Sequence, residues 1–330
     1  MEMKNIAFMG RFDFSDEKGP KFGWSASTIA ARFNGTGISA ELYSLKNSYF
    51  TVELDGKVIN PSLHVIGQKT FILASGLEPG IHGLKLIKNT EFNIGTAQFL
   101  GFNVTEGELL PPVNESDRRI EFIGDSISCG FGIDGEGLEV DYDPKYDNAY
   151  LTYGSITARK LQAEHMIIGC SGHGIMRNYG GDMVNTMPTK YSLVTVGSDK
   201  LWDFTKWIPQ VVVINLGTND FSQGYIPERN ALIEPYRRLV EKVYGNYPKV
   251  HIICALGPNL CDRALDICRE YLKVGVVENF RENNNQISFL EFEHQKEENG
   301  YGILFHPSRK THETMAKRLT EEMGRIMGWQ

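Results

Sequence analysis

The sequence predicts two architectures in tandem, an all-β sandwich over residues 1–112 and an α/β unit with a parallel sheet flanked by helices over residues 113–330. Three observations carry this. The first part consists of short β-rich runs broken by turn residues, with hardly any helical periodicity. In the second part apolar strand runs alternate with helical patterns, which calls for parallel strands joined by helical crossovers. The chain of 330 residues also exceeds the roughly 100–200 of one ordinary domain.

In chain order, the β-rich runs are Asn5–Phe12, Thr28–Phe33, Ser39–Tyr43, Tyr49–Leu54, Thr70–Leu73, Gly83–Ile87 and Gln98–Val104. Asn34-Gly35, Asp55-Gly56 and Pro79-Gly80 between them read as turns. Pro111-Pro112 followed by Asn114-Glu115-Ser116-Asp117 is a stiff polar connector and marks the expected boundary. Beyond it come a strand at Arg119–Ile123, a helix at Thr152–Gln162 and a strand at His165–Ile168. A buried strand at Val211–Leu216, a helix at Ile233–Tyr244, a strand at Val250–Ala255 and a helix at Asp262–Tyr271 follow. Ser308–Met327 carries His312, Met315, Leu319, Met323 and Ile326 at helical spacing, with Ser308 at the N-cap and Gly328 after the end.

Composition removes several function classes. Hydrophobic residues at 41% and charged residues at 23% are ordinary globular proportions and exclude a disordered or fibrous chain. A net charge of −7 offers no general attraction to nucleic acid or to an anionic membrane, so neither is expected as a partner. No apolar run reaches the length of a membrane span, and Met1–Phe14 has no apolar stretch of signal-peptide length, which predicts a cytoplasmic protein. Five cysteines, an odd number without framework spacing, read as reduced thiols.

Three segments can carry chemistry, because ligands of a parallel sheet sit beyond the carboxyl ends of its strands. Phe122-Ile123-Gly124-Asp125-Ser126-Ile127-Ser128 is a strand running into a tight turn that holds the Ser126 hydroxyl at a strand end. Val211–Asp220 delivers Asn219 to the same edge, and Phe305-His306-Pro307-Ser308 leaves His306 in a loop, since Pro307 delays the next helix. Each alone is ordinary turn or capping chemistry. Together they supply a nucleophile, an amide donor and a base, the parts that acyl transfer requires.

Through Gly124-Asp125-Ser126-Ile127, Gly217-Thr218-Asn219-Asp220 and His306-Pro307 the chain resembles the SGNH (GDSL-type) hydrolases, and Cys170-Ser171-Gly172-His173-Gly174 looks like their glycine block. Gly10-Arg11-Phe12, Arg32-Phe33-Asn34-Gly35-Thr36, His82-Gly83-Leu84-Lys85-Leu86 and Phe99-Leu100-Gly101-Phe102 extend the likeness to carbohydrate esterase family 2. That resemblance implies a jelly-roll β-sandwich followed by an SGNH α/β domain, and a serine esterase that removes O-acetyl groups from xylan-type oligosaccharides through an acetyl-serine intermediate. Ser126 and His306 would be catalytic, and the oxyanion hole would use the N–H of Ser126, the N–H of Gly172 and the Asn219 amide, with Gly174 as the alternative glycine. No cofactor and no metal is implied, and the α/β-hydrolase elbow G-x-S-x-G is absent.

One feature departs from that family. Relatives with a full triad place an Asp two or three residues before His-Pro, where this chain has Leu304 and Ile303. The expectation is a Ser126–His306 dyad whose histidine is oriented by a main-chain oxygen, with Glu291, Glu293 or Glu297 as alternative carboxylates. Tyr142, Tyr146 and Tyr150 are candidates to stack on sugar rings or to pack internally, and His173 either touches substrate or faces solvent. The stripe Cys261, Leu265, Cys268 and Leu272 reads as core, as do Trp202 and Trp207. Two other functions compete: a lipase or thioesterase acting on longer acyl esters, and a catalytically inactive carbohydrate-binding protein. A homo-oligomer is left open.

Overall fold

The computed structural model describes residues 3–114, 116–137, 140–195, 197–283 and 285–329, so Glu115 of the expected connector lies outside the described residues. The N-terminal region is built on β1 (Ile6–Met9), β2 (Lys21–Phe22), β3 (Thr28–Leu54), β4 (Lys57–Lys88), β5 (Ala97–Thr105) and β6 (Glu108–Leu110). Their hydrogen-bonded order is β1-β3-β5-β2, with β4 and β6 also paired to β3. Both ends of β3 pair with the end of β4: Ile29 opposes Leu86 and so does Val52. The strand pair therefore wraps around a core of Phe22, Phe33, Leu42, Phe50, Leu86 and Phe99.

Three separate runs predicted between Thr28 and Leu54 are one strand. Asn34-Gly35 is no hairpin turn; a Cβ on Gly35 would meet the Thr105 carbonyl at 2.7 Å, so glycine is required there by a close strand approach. Pro79-Gly80 also lies inside a strand, and only Asp55-Gly56 turns the chain, with φ of 50° and 75°. That left-handed pair is what a tight two-residue hairpin needs.

The second region adds β7 (Arg119–Gly124), β8 (Glu164–Gly169), β9 (Val211–Asn215), β10 (His251–Leu256) and β11 (Ile287–Glu291). They form a parallel sheet in the order β11-β10-β9-β7-β8. Alternate residues face opposite layers, as the two-residue period of a strand dictates. Ile123, Val212, Ile214, Ile252 and Cys254 pack under the helix Arg229–Asn246. Ile120, Phe122, Val211, Val213 and Ile253 pack under the helices Tyr153–Lys160 and Arg309–Met327. This double burial is why the strands read as unbroken apolar runs.

Ser308 caps the last helix by accepting the Thr311 N–H at 3.2 Å, and Gly328 ends it at φ 67°. Cys268 and Leu272 are core residues but Cys261 is exposed, so the predicted stripe is only partly internal. The chain moves from β7 outward to β8, then crosses to β9 and outward again, so the order reverses between β7 and β9. A parallel sheet opens a crevice at the carboxyl ends of such a strand pair. Among the described residues, no helix is long and apolar enough to cross a membrane.

Candidate active site

Ser126 lies one residue beyond β7 and opens a single helical turn, Ser126–Cys129, capped by the intervening Asp125 carboxylate on the Ile127 N–H at 3.0 Å. As the first residue of that turn its own N–H has no partner within the helix. Its hydroxyl lies 2.9 Å from His306 Nε2, across 180 residues of sequence. Ser128, the neighbouring hydroxyl, faces inward and shares a 2.8 Å hydrogen bond with Tyr153. The geometry thus separates two serines that the motif alone presents together.

The histidine loop is held from several sides. Gly302 N–H donates to the His306 carbonyl, and Ile303 N–H donates to the Gly132 carbonyl. Leu304 and Phe305 both take left-handed backbone, at φ 51° and 60°. For non-glycine residues that costs on the order of 1–3 kcal/mol each and persists only where surrounding contacts impose it. Here the Phe305 carbonyl accepts from Gln295 Nε2 at 2.8 Å and Asn259 Nδ2 at 3.1 Å. The bend brings the Ile303 carbonyl to 3.2 Å from His306 Nδ1. With Nδ1–H donating to that oxygen, Nε2 is left as the acceptor for the Ser126 hydroxyl.

None of the carboxylates weighed from sequence takes this place. Glu291 is bound by Arg269 at 2.5 and 2.8 Å, and Glu293 pairs with Lys296 at 3.1 Å. The ring of His306 rests on Phe131 at 4.3 Å, and Phe131 stacks on Tyr142 at 4.6 Å, whose hydroxyl donates to Asp147 at 2.8 Å. Burial pushes the imidazole down to about 4, against the opposing pull of the Ile303 and Leu304 backbone.

Asn219 lies just beyond β9, and Gly172 just beyond β8 at φ 75°. The Gly174 N–H is spent on Asn178 Oδ1 at 3.2 Å, whereas no hydrogen bond among the described residues takes the Gly172 N–H. Asn219 Nδ2 donates to the His173 carbonyl at 3.0 Å and to Asp125 Oδ2 at 3.2 Å, so its amide ties the serine turn to the glycine loop. Burial, reinforced by the nearby Asp220 charge, pushes the Asp125 carboxyl up to about 7.

Asp220 was legible only as turn chemistry, yet it organises the whole loop. Its carboxylate accepts the successive N–H groups of Ile175, Met176 and Arg177 at 2.9, 2.8 and 3.0 Å. Tyr142, Tyr146 and Tyr150 are engaged internally, by Phe131 and Asp147, by Lys145, and by Glu53 and Arg159. Two exposed rings were not foreseen as site residues: Tyr179, 65% exposed with its N–H on the Gly172 carbonyl at 2.7 Å, and Phe305, 57% exposed beside His306. His173 is half-buried, edge-on to Phe92 at 5.8 Å.

This constellation has counterparts. Residues 8–112 match the carbohydrate esterase 2 N-terminal family, and residues 120–319 match the GDSL-like lipase/acylhydrolase family. A solved family two carbohydrate esterase from Clostridium thermocellum, in complex with cellohexaose, superposes with a TM-score of 0.95 at 41% identity, covering 98% of this chain and 100% of that one. The chain belongs to the family two carbohydrate esterases. Their combination of a β-rich N-terminal region with a GDSL-type α/β region is the architecture described above. Cellulase/esterase CelE of Acetivibrio thermocellus is 42% identical over 324 residues, 98% of this chain and 40% of CelE, so this chain spans less than half of that relative. An acetylxylan esterase / glucomannan deacetylase of Cellvibrio japonicus is 28% identical over 332 residues, covering 98% of this chain and 90% of the relative.

Proposed function

We propose that the chain is a serine esterase that removes O-acetyl groups from xylan-type oligosaccharides, with residues 1–112 as its β-sandwich domain and 113–330 as its catalytic domain. The observation that carries the reading is the 2.9 Å contact between Ser126 Oγ and His306 Nε2 at the switch point of the parallel sheet. In the reaction, His306 Nε2 takes the Ser126 proton while Oγ attacks the acetyl carbonyl. The tetrahedral oxyanion is met by the N–H of Ser126 and of Gly172 and by the Asn219 amide. The intermediate collapses as His306 returns the proton to the departing sugar hydroxyl, leaving acetyl on Ser126. Water, deprotonated by His306, then attacks the acetyl carbonyl, and His306 returns that proton to Ser126 Oγ as acetate leaves.

The sugar specificity is supported by the names of the relatives and by the exposed rings of Tyr179 and Phe305 beside the site. Hydrolysis of acetyl, butyryl and octanoyl esters, alongside release of acetate from acetylated xylo-oligosaccharide, tests it. The expected order is acetyl fastest, with acetate released from the oligosaccharide. Faster octanoyl hydrolysis would favour the long-chain lipase or thioesterase reading, and binding of the oligosaccharide without turnover would favour an inactive binder.

The role given to Asn219 makes a separate prediction. Its amide must exchange a resting acceptor, the His173 carbonyl or Asp125, for the oxyanion. Asn219→Ala is then expected to lower kcat by about 10²–10³ with little change in KM, the usual cost of one oxyanion donor. Steady-state kinetics on an acetyl ester measure this, and a change confined to KM contradicts the role.

A further inference from the structure

We propose that Glu91, contributed by the N-terminal β-rich region, is a positioning residue that sets the oxyanion-binding peptide of the α/β region. The proposal rests on the esterase reading above, in which the Gly172 N–H meets the oxyanion. Glu91 is buried, and its Oε2 accepts the Ser171 N–H at 2.9 Å, across 80 residues of sequence. Ser171 N–H belongs to the peptide immediately before the one that carries the Gly172 N–H. The other side of Gly172 is also fixed, since its carbonyl accepts from Tyr179 N–H at 2.7 Å and His173 N–H donates to the Cys170 carbonyl at 3.1 Å. Glu91 therefore supplies a hydrogen-bonding anchor of this turn that comes from outside the α/β region.

The segment bearing Glu91 is itself wedged in place. It leads into the turn Phe92–Ile94, whose Phe92 ring meets His173 edge-on, and the Asn89 carbonyl accepts from Ala149 N–H at 3.2 Å. Lys88 is fully buried beside it, and its ammonium donates to the Thr90 carbonyl, the Thr90 hydroxyl and the Glu91 carbonyl at 2.6, 3.0 and 3.2 Å. Those donations do not involve the Glu91 carboxylate, so replacing the carboxylate leaves them intact. Lys88 also supplies positive charge next to a carboxylate that would otherwise oppose a developing oxyanion. Burial raises the Glu91 carboxyl above its usual range, while Ser171 and the Lys88 charge pull it down.

A carboxylate that holds the preceding peptide acts on the transition state through donor geometry, so its loss belongs in kcat. The test compares wild type, Glu91→Met, Glu91→Gln and Ser126→Ala in hydrolysis of 4-nitrophenyl acetate. Methionine keeps the volume and removes the acceptor; glutamine keeps an acceptor oxygen. Glu91→Met is expected to lower kcat by about ten- to hundredfold, a misplacement-sized effect, with KM within about twofold. Glu91→Gln should stay within about threefold of wild type, because its amide oxygen still accepts the Ser171 N–H. Wild-type kcat in Glu91→Met, a loss confined to KM, or equal damage in both variants would each overturn the proposal. If Glu91→Met does not fold, the Ser171 amide of the wild-type chain is read by NMR: slow hydrogen exchange supports the proposal, and exchange at the rate of an open loop overturns it. A fully active Ser126→Ala would defeat the esterase reading itself, whereas an inactive Ser126→Ala beside an unimpaired Glu91→Met would defeat only the role of Glu91.

Discussion

Ser126→Ala is expected to fold as the wild type does and to lose esterase turnover by about four to six orders of magnitude, the loss seen when a serine nucleophile is removed and only oxyanion binding remains. The fold should tolerate the change because the serine hydroxyl caps nothing. The helical turn it opens is capped by Asp125, and its partner His306 keeps the Ile303 carbonyl. Ser128→Ala is the control. That hydroxyl bonds Tyr153 in the interior, so its loss should cost about 1 kcal/mol of stability, an ordinary buried hydrogen bond, and leave kcat near wild type. Kinetics and a melting curve on both variants separate the two serines; turnover surviving in Ser126→Ala but lost in Ser128→Ala reverses the assignment.

The contrast between those serines shows what the sequence could carry. Strands β7 and β9 are legible because both faces are buried, which leaves apolar runs whose ends must sit on one sheet edge; Ser126 and Asn219 follow from that. The last helix is legible from its local signals, Ser308 before it and Gly328 after it. Long-range packing is not written locally. Gly35 looks like a turn residue, but the Thr105 carbonyl that requires it lies 70 positions away along the chain. β11 was missed because Ile287–Glu291 alternates Ile, Ser, Phe, Leu and Glu beside an Asn-rich stretch and is called into the sheet by β10 alone. The glycine block announces itself, yet its shape depends on two carboxylates from elsewhere, Asp220 and Glu91, whose partners are backbone N–H groups that no motif records.

His306→Ala should cost about as much as Ser126→Ala, roughly four to six orders of magnitude in kcat, since a nucleophile without its base and a base without its nucleophile fail in the same step. The unusual feature of this histidine is its orienter. A main-chain carbonyl fixes the Nδ1–H tautomer but, unlike a carboxylate, brings no negative charge to stabilise the imidazolium. Burial outweighs the upward pull of the Ile303 and Leu304 backbone oxygens and holds the ring down to about 4. The sign of the resulting pH dependence follows from the base being the neutral form. As pH falls through about 4 the ring is protonated, Nε2 can no longer accept the Ser126 proton, and kcat/KM should fall tenfold per unit. Above that His306 itself should contribute no limb at 6.5, where an ordinary histidine would still be titrating, and a step near 7 that Asp125→Asn removes belongs to the Asp125 carboxyl. A profile of kcat/KM from pH 3 to 8 reads this directly. An acid limb centred near 6.5 would mean that a carboxylate or bulk water, and not the Ile303 carbonyl in a buried loop, sets the basicity of His306.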